Sequence, residues 1–284
     1  MMNTIILNST HRVPNSNNKF VYRFPTQASF TSNDTIAVST MNVFNSFFNI
    51  EATRGNNKIS IFWAPDGLTY NLIIPDGFYD IPALNYQLQF FMTENHLYTY
   101  SAIENENVFY IELVLNPNRY AVELRCFPVP DSNEAATDLQ LTKPVDATWD
   151  FHLTFDLTPS ITFNSAFGSL IGFSAGTYPE LLENEIKVYF NDLIPQISIV
   201  NSLLVTCNLV NSFYSNPVNV LYSMPISSSF GNSMSSKDSM RTDVNIFDGT
   251  YQSIVLEILD QRYERVHMHD FELEIKLTLI IAKK

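Results

Sequence analysis

The clearest pattern in the sequence is the run Phe271-Glu272-Leu273-Glu274-Ile275-Lys276-Leu277-Thr278-Leu279-Ile280-Ile281. Apolar side chains stand at every second position, and charged or polar side chains fill most positions between them. Because successive side chains of a β-strand point to opposite faces, this period of two puts the apolar side chains on one face. The run is therefore predicted to be a half-buried antiparallel strand.

The same alternation occurs in several other segments of the chain. They are Phe20-Tyr22-Phe24, Ile59-Ile61-Trp63, Phe109-Ile111-Leu113-Leu115, Tyr120-Val122-Leu124-Cys126 and Ile254-Leu256-Ile258. A continuous apolar stretch, Ile197 to Val210, predicts a strand that is buried on both faces or packed at an interface. Many short strands separated by Asn, Ser and Pro are typical of a β-sandwich or a jelly roll.

Helical signals are few. Asp80 is a suitable N-cap, Pro82 suits a first turn, and Leu84, Leu88 and Phe91 follow with helical spacing, which predicts a helix over 81–94. A shorter helix is predicted from Asn164 or Ser165 to Ile171, with Gly172 as its C-cap.

The position of these helices suggests the domain organisation. Both lie in the middle third of the chain, while the two flanks show only strand patterns. We therefore predict a mainly β protein in which residues 1–65 and 185–284 form a single jelly-roll sandwich. Residues 66–184 are predicted to form an α+β insertion domain, and the stretches 128–144 and 227–236 are predicted to be loops.

Composition limits the function classes. The chain has 284 residues, 45% of them hydrophobic and 16% charged, which excludes a disordered chain. Its formal net charge of −13 argues against strong nucleic-acid binding. The first residues lack the basic region of a signal peptide, and no stretch reaches the roughly 18 apolar residues of a membrane span.

Signatures of chemistry are sparse. The sequence has no glycine-rich phosphate loop and no Gly-x-Ser-x-Gly motif, so we expect no enzyme and no cofactor. His267 and His269 have a spacing that metals can use, but a polar hairpin loop is the favoured interpretation and no metal site is expected. Cys126 and Cys207 are expected to be buried free thiols, with a disulfide as the alternative.

The start of the chain is unusually basic. Residues 1–33 contain Arg12, Lys19 and Arg23 and no acidic residue. Two interpretations stay open: an ordinary strand with outward basic positions, or an extended arm that docks on an acidic partner. The arm hypothesis predicts that removal of residues 1–18 weakens assembly and leaves the β-fold intact.

Three parts of the sequence resemble a known family. They are Leu7-Asn8-Ser9-x-x-Arg12 with Phe20-Val21-Tyr22-Arg23-Phe24-Pro25; Ile74-Pro75-x-Gly77-x-Tyr79 with Leu170-Ile171-Gly172-Phe173; and Phe230-Gly231-Asn232 with Ile258-Leu259-Asp260 and Val266. Their order and spacing resemble those of the penton, or vertex, capsid proteins of virophages and polinton-like viruses. The resemblance implies a jelly roll with an insertion domain, five copies of which close an icosahedral vertex among trimers of the major capsid protein.

This resemblance sets the functional expectations. They are a structural virion protein, assembled in the cytoplasm or nucleus of a host cell, with itself, the major capsid protein and neighbouring minor capsid proteins as partners. Tyr and Phe are common interface anchors, and basic residues suit contacts with neighbours. The candidate interface residues are Arg12, Lys19, Arg23, Phe47, Phe48, Tyr214 and Tyr222.

Three alternatives remain at the level of sequence. The first is a minor or cement capsid protein. The second is a receptor- or glycan-binding β-sandwich such as a fibre head, in which Trp63 or Trp149 would stack on sugars, although both tryptophans are expected to lie in the core. The third is an enzyme on a jelly-roll scaffold, which usually needs a histidine-rich metal site.

Overall fold

The chain folds into two compact units. The structure is a computed structural model, and it describes residues 2–151, 157–181, 184–210, 218–237, 242–270 and 272–281. The first unit, which we call the sandwich unit, combines Met1–Phe47 with Ser198–Lys284. The second, the inserted unit, is Phe48–Ile197.

The elements follow in chain order. Three strands precede the inserted unit: β1 (Met2–Asn8), β2 (Lys19–Phe30) and β3 (Thr35–Phe44). The inserted unit contains β4 (Lys58–Trp63), β5 (Leu68–Ile73), α1 (Ile81–Glu94), β6 (Thr99–Ser101), β7 (Glu106–Val108), β8 (Ile111–Asn116), β9 (Ala121–Cys126), α2 (Asn133–Asp138), β10 (Leu141–Thr142), β11 (Ser160–Phe163), α3 (Ser165–Ile171), β12 (Gly176–Tyr178) and β13 (Lys187–Phe190). After it come β14 (Ser202–Cys207), β15 (Val220–Pro225), β16 (Ser233–Lys237), β17 (Val244–Asn245), β18 (Gly249–Asp260) and β19 (Leu273–Ile280).

The sandwich unit has jelly-roll topology. One sheet has the order β1-β19-β3-β16, with the short β17 also paired to β3, and the other has the order β15-β14-β18-β2. If the eight main strands are numbered in chain order, one sheet contains strands 1, 8, 3 and 6, and the other contains strands 5, 4, 7 and 2. This interleaving of two antiparallel sheets is the jelly-roll arrangement, so the predicted fold class is confirmed.

Both sheets of the sandwich unit contribute to one hydrophobic core. Leu7, Val43 and Ile275 come from the first sheet, and Phe20 and Leu256 come from the second. The alternation that predicted the strands explains this, because only one face of each sheet is apolar enough to be buried.

Strand β19 shows how closely the sequence pattern is followed. Leu273, Ile275, Leu277 and Leu279 are buried, and Glu274 and Lys276 are exposed. An irregularity in the pairing with β3 occurs between Lys276 and Leu277. It accompanies the burial of Thr278, whose hydroxyl bonds to that of Ser39 on β3. Phe271, the first residue of the predicted strand, lies outside the described residues.

The inserted unit is built from three small antiparallel sheets and three helices in its described part. The sheets have the orders β12-β11-β4-β5, β13-β9-β8 and β10-β6-β7. A cluster of large rings forms part of its core: the Trp63 ring centroid lies 5.4 Å from that of Trp149 and 5.8 Å from that of Tyr110. The two tryptophans are buried as expected, so neither is available to stack on a sugar.

The two helices predicted from capping signals are found with their predicted bounds. The Asp80 carboxylate accepts a hydrogen bond from the Ala83 N–H at the start of α1. The Asn164 side-chain oxygen accepts a hydrogen bond from the Phe167 N–H at the start of α3. Gly172 ends α3 with a φ of 86°, a left-handed conformation that suits glycine.

The inserted unit is longer at both ends than predicted from the sequence. Strand β4 pairs with β5 and, from the far side, with β11, so residues 58–63 belong to this unit and not to the sandwich. At the other end the unit reaches Ile197. A repeating apolar pattern identifies a strand but does not identify its partner, so the alternation of residues 58–63 does not show which unit they belong to.

Two stretches predicted to be loops contain regular structure. The stretch 128–144 includes α2 and β10, and the stretch 227–236 includes most of β16. The sequence also predicts a strand over 150–157, but residues 152–156 of this stretch lie outside the described part of the chain.

Candidate functional site

The basic start of the chain is part of the sandwich and not a free arm. Strand β1 pairs with β19 from Met2 to Asn8, and Leu7 is completely buried. Arg12 follows a short 3₁₀ turn and forms a bridge to Phe20 of β2. Deleting residues 1–18 would therefore remove an edge strand and core side chains, which corrects the expectation that the β-fold would stay intact.

Lys19 and Arg23 lie on the outward face of β2. Their partners across the strand pair are Glu257 and Ser253 of β18, while the intervening Phe20 is buried on the opposite face. Neither basic side chain forms a hydrogen bond or an ion pair within the described residues. The sequence thus identified two outward basic positions, in accordance with the ordinary-strand interpretation.

A cleft of about 400 Å³ opens beside Lys19. Its walls include Arg265 and His267, and Glu257 is the acidic group that faces into it. The Arg265 Nε atom lies 3.5 Å from a Glu257 carboxylate oxygen. The described residues that line the cleft therefore supply two permanent positive charges, one negative charge and a histidine.

The turn that forms the other wall of this cleft is firmly held. The Val13 N–H donates to the Lys19 carbonyl at 2.9 Å, and the buried Asn18 side chain donates to the Ile258 carbonyl at 2.9 Å. Since β18 carries Ile258 and pairs with β2, both anchors tie the turn to the sheet and fix the cleft in place.

A second cleft, of about 590 Å³, lies at an irregularity of β2. The irregularity is a bulge: four residues of β2, Phe24 to Gln27, lie opposite the single residue Gln252 of β18. Among the described residues that line this cleft, Arg23 is the charged one, and Val21 and Val255 are apolar. Pro25, which lacks an N–H, sits within the bulge and protects this sheet edge from pairing with another strand.

The aromatic interface candidates differ in their surroundings. Phe47 is only 5% exposed and packs in the core of the sandwich unit, so we remove it from the candidates. Phe48, in the inserted unit, is half-buried. Tyr222 is half-buried against the sandwich core, and its hydroxyl bonds to that of Ser236. Tyr214 lies outside the described residues.

An apolar edge on β1 was not identified from the sequence. Met2 is 66% exposed and Ile6 is 48% exposed, although both belong to a strand that buries Ile5 and Leu7. The signal was present: in a strand, the consecutive apolar residues Ile5, Ile6 and Leu7 cannot all face the core. Ile6 thus faces outward at a sheet edge.

The histidine pair has a defined arrangement. Val266 and Met268 are buried in the sandwich core, so His267 and His269 emerge on the same side of the segment. Their ring centroids are 4.4 Å apart. This segment is irregular chain between β18 and β19 and is consistent with the favoured hairpin-loop interpretation.

The charges are divided very unevenly between the two units. The sandwich unit has ten basic and ten acidic residues, whereas the inserted unit has six basic and 19 acidic residues. The net charge of −13 is therefore carried entirely by the inserted unit. In the sequence, the basic character of the first 33 residues is the local sign of this division.

The two cysteines are free and buried. Burial raises the pKa of both the Cys126 and the Cys207 thiol to about 12. A thiol with such a pKa is protonated at neutral pH and is a poor nucleophile. None of the helices in the described part of the chain has the length and apolarity needed to cross a bilayer.

Together these observations define the class of protein: a jelly-roll sandwich interrupted by an acidic α+β unit. Two solved structures are similar to the chain over its whole length. The mavirus penton protein has a TM-score of 0.44 and 10% identity, with 99% of each chain covered. A chain of the Sputnik virophage structure has a TM-score of 0.40 and 12% identity, with 99% of this chain and 98% of that chain covered. No protein-family model and no curated protein matches the chain.

Proposed function

We propose that the chain is a penton protein, a structural component of an icosahedral virion that closes the five-fold vertex as a homopentamer. The observation that carries this proposal is the strand order of the sandwich unit, since the jelly roll is a fold of viral capsid and lectin domains. The resemblance of three sequence segments to virophage and polinton-like vertex proteins favours the capsid role. The major capsid protein, and minor capsid proteins beside it, would surround the ring.

A ring of identical copies needs two different, complementary surfaces on each protomer. The outward apolar edge of β1, with Met2 and Ile6, supplies one surface that self-association would bury. Half-buried Phe48 and Tyr222 are the proposed aromatic contributors, and Tyr214 remains a prediction. Arg12, Lys19 and Arg23 are the proposed basic contributors to contacts between the ring and neighbouring capsid proteins.

The uneven division of charge between the two units supports a position of the inserted unit on the outside of the particle. Its 19 acidic residues would give the particle surface a net negative charge, which opposes aggregation of particles. The neutral sandwich unit would avoid charge repulsion between neighbouring copies in the shell.

Native mass spectrometry of the purified protein tests the proposal. We expect a species of five 32.4 kDa chains. A monomer that binds glycans would support the receptor-binding alternative, a trimer would support a fibre head, and either result would contradict the penton.

A matched pair of variants tests the surface. Ile6→Lys places a charge on the apolar edge and should reduce the pentamer fraction. Ile103→Lys, at a 67% exposed position of the inserted unit, should not change it. Equal effects of the two substitutions would remove β1 from the proposed interface.

A further inference from the structure

We infer that Lys19 and Arg23 form a two-point docking surface for an extended acidic segment of a neighbouring capsid protein. That the partner is a capsid protein rests on the proposed function. That the surface binds such a segment rests on its own geometry.

The first argument is the placement of the two cations. Each contributes to its own cleft, of about 400 Å³ for Lys19 and about 590 Å³ for Arg23, on the same outward face of β2. Acidic residues outnumber basic ones by 29 to 16 in this chain, yet within its described part neither cation has an ion-pair partner. Within that part of the chain, an anion from outside can therefore approach both without displacing an ion pair of either cation.

The second argument is the spacing, which specifies the ligand. Lys19 and Arg23 are four residues apart on a strand, or about 13 Å at about 3.3 Å per residue. Val21 lies between them and faces Val255 across the strand pair. A complementary extended segment carries two carboxylates four residues apart and an apolar side chain midway, because its own side chains alternate in the same way.

The third argument concerns how the segment lies. The bulge from Phe24 to Gln27 and the missing N–H of Pro25 oppose addition of a new strand at the outer edge of β2, whose start is already bridged to Arg12. The segment therefore binds through its side chains on the outer face of the sheet. Arg265 and His267 extend the positive wall of the first cleft, while Glu257 opposes it.

The partner is a different protein and not a second copy of this chain. In this sequence, only Asp76-Gly77-Phe78-Tyr79-Asp80 combines two carboxylates four residues apart with an apolar side chain midway outside a helix. Both its carboxylates are engaged internally: Asp76 accepts from the Ala52 N–H at 2.7 Å, and Asp80 caps α1. Charge complementarity thus points to an acidic segment supplied from elsewhere.

The experiment measures binding of a fluorescent peptide of about ten residues to the full-length protein by anisotropy. The probe carries Glu, Val and Glu at alternate positions separated by Thr, and a second probe replaces both Glu by Lys. We expect binding of the Glu probe only, weakened at higher salt. The double variant Lys19→Glu with Arg23→Glu should weaken it at least about tenfold.

A control and a milder variant keep the result interpretable. Lys276→Glu reverses an exposed charge on the other sheet and should leave the affinity unchanged. If the double reversal does not fold, Lys19→Gln with Arg23→Gln should still weaken binding. Equal loss in the Lys276→Glu variant, or no loss in either double variant, would overturn the inference.

Two further outcomes would also overturn it. Tighter binding of a single-stranded oligonucleotide than of the Glu probe, sensitive to the same variants, would assign the surface to nucleic acid. Loss of the pentamer in the double variant without any peptide would assign it to a second copy. Specific peptide binding by a protein that forms no pentamer would refute the proposed function and leave the inference standing.

Discussion

Burial governs the chemistry of the two cysteines, Cys126 and Cys207. Because burial raises both thiol pKa values to about 12, the reactive thiolate is almost absent below pH 9. We expect neither thiol to react with a chromogenic disulfide reagent at pH 8 in the native protein, and both to react in denaturant. The variants Cys126→Ser and Cys207→Ser should each lose one of the two denatured equivalents. Rapid reaction of the native protein would contradict the burial of these side chains.

Gly172 is a second residue whose role can be tested individually. It has a positive φ, and a Cβ atom there would lie 2.6 Å from the Leu193 carbonyl oxygen. Gly55 also has a positive φ, but a Cβ atom there would meet nothing within 4 Å. Gly55→Ala should therefore lose about 1 kcal/mol of unfolding free energy through backbone strain alone.

Gly172→Ala adds a steric clash to the same strain and should lose at least about 1 kcal/mol more than Gly55→Ala. Urea denaturation of both variants measures the difference. Equal losses would show that the contact between Gly172 and Leu193 is not as close as described.

At the scale of elements, β1 distinguishes an integral strand from a docking arm. Leu7 is completely buried, and its neighbour Ile6 is about half exposed. Leu7→Ala should cost about 2–5 kcal/mol of unfolding free energy, because it leaves a cavity in the sandwich core. Ile6→Ala should cost less than about 1 kcal/mol. Small and equal losses in chemical denaturation would revive the arm hypothesis.

The elements also show what the sequence could predict. The bounds of α1 and α3 followed from local capping chemistry at Asp80, Asn164 and Gly172, which acts over a few residues and is visible in sequence. Strand β16 was missed because Met234 is its only buried apolar side chain, so it has no hydrophobic period. It pairs with β3 through its backbone, and backbone pairing leaves no compositional trace.

At the scale of the whole molecule, the sequence predicted an interrupted jelly roll. The predicted ends of the insertion, at residues 66 and 184, both fall inside the inserted unit. Strand β4 pairs with β11, about a hundred residues later, and such long-range pairing cannot be deduced from the pattern of either strand. Of the candidate site, the outward positions of Lys19 and Arg23 were predictable from alternation. The clefts beside them were not, since they depend on the bulge in β2 and on residues brought from 265–267.

We propose that the sandwich unit closes a five-membered ring. Single-particle imaging of the purified assembly tests it most directly. The predicted result is a class average with five-fold symmetry, in which sandwich units contact one another around the axis. Three-fold particles, or isolated protomers at concentrations where a capsid protein assembles, would contradict it.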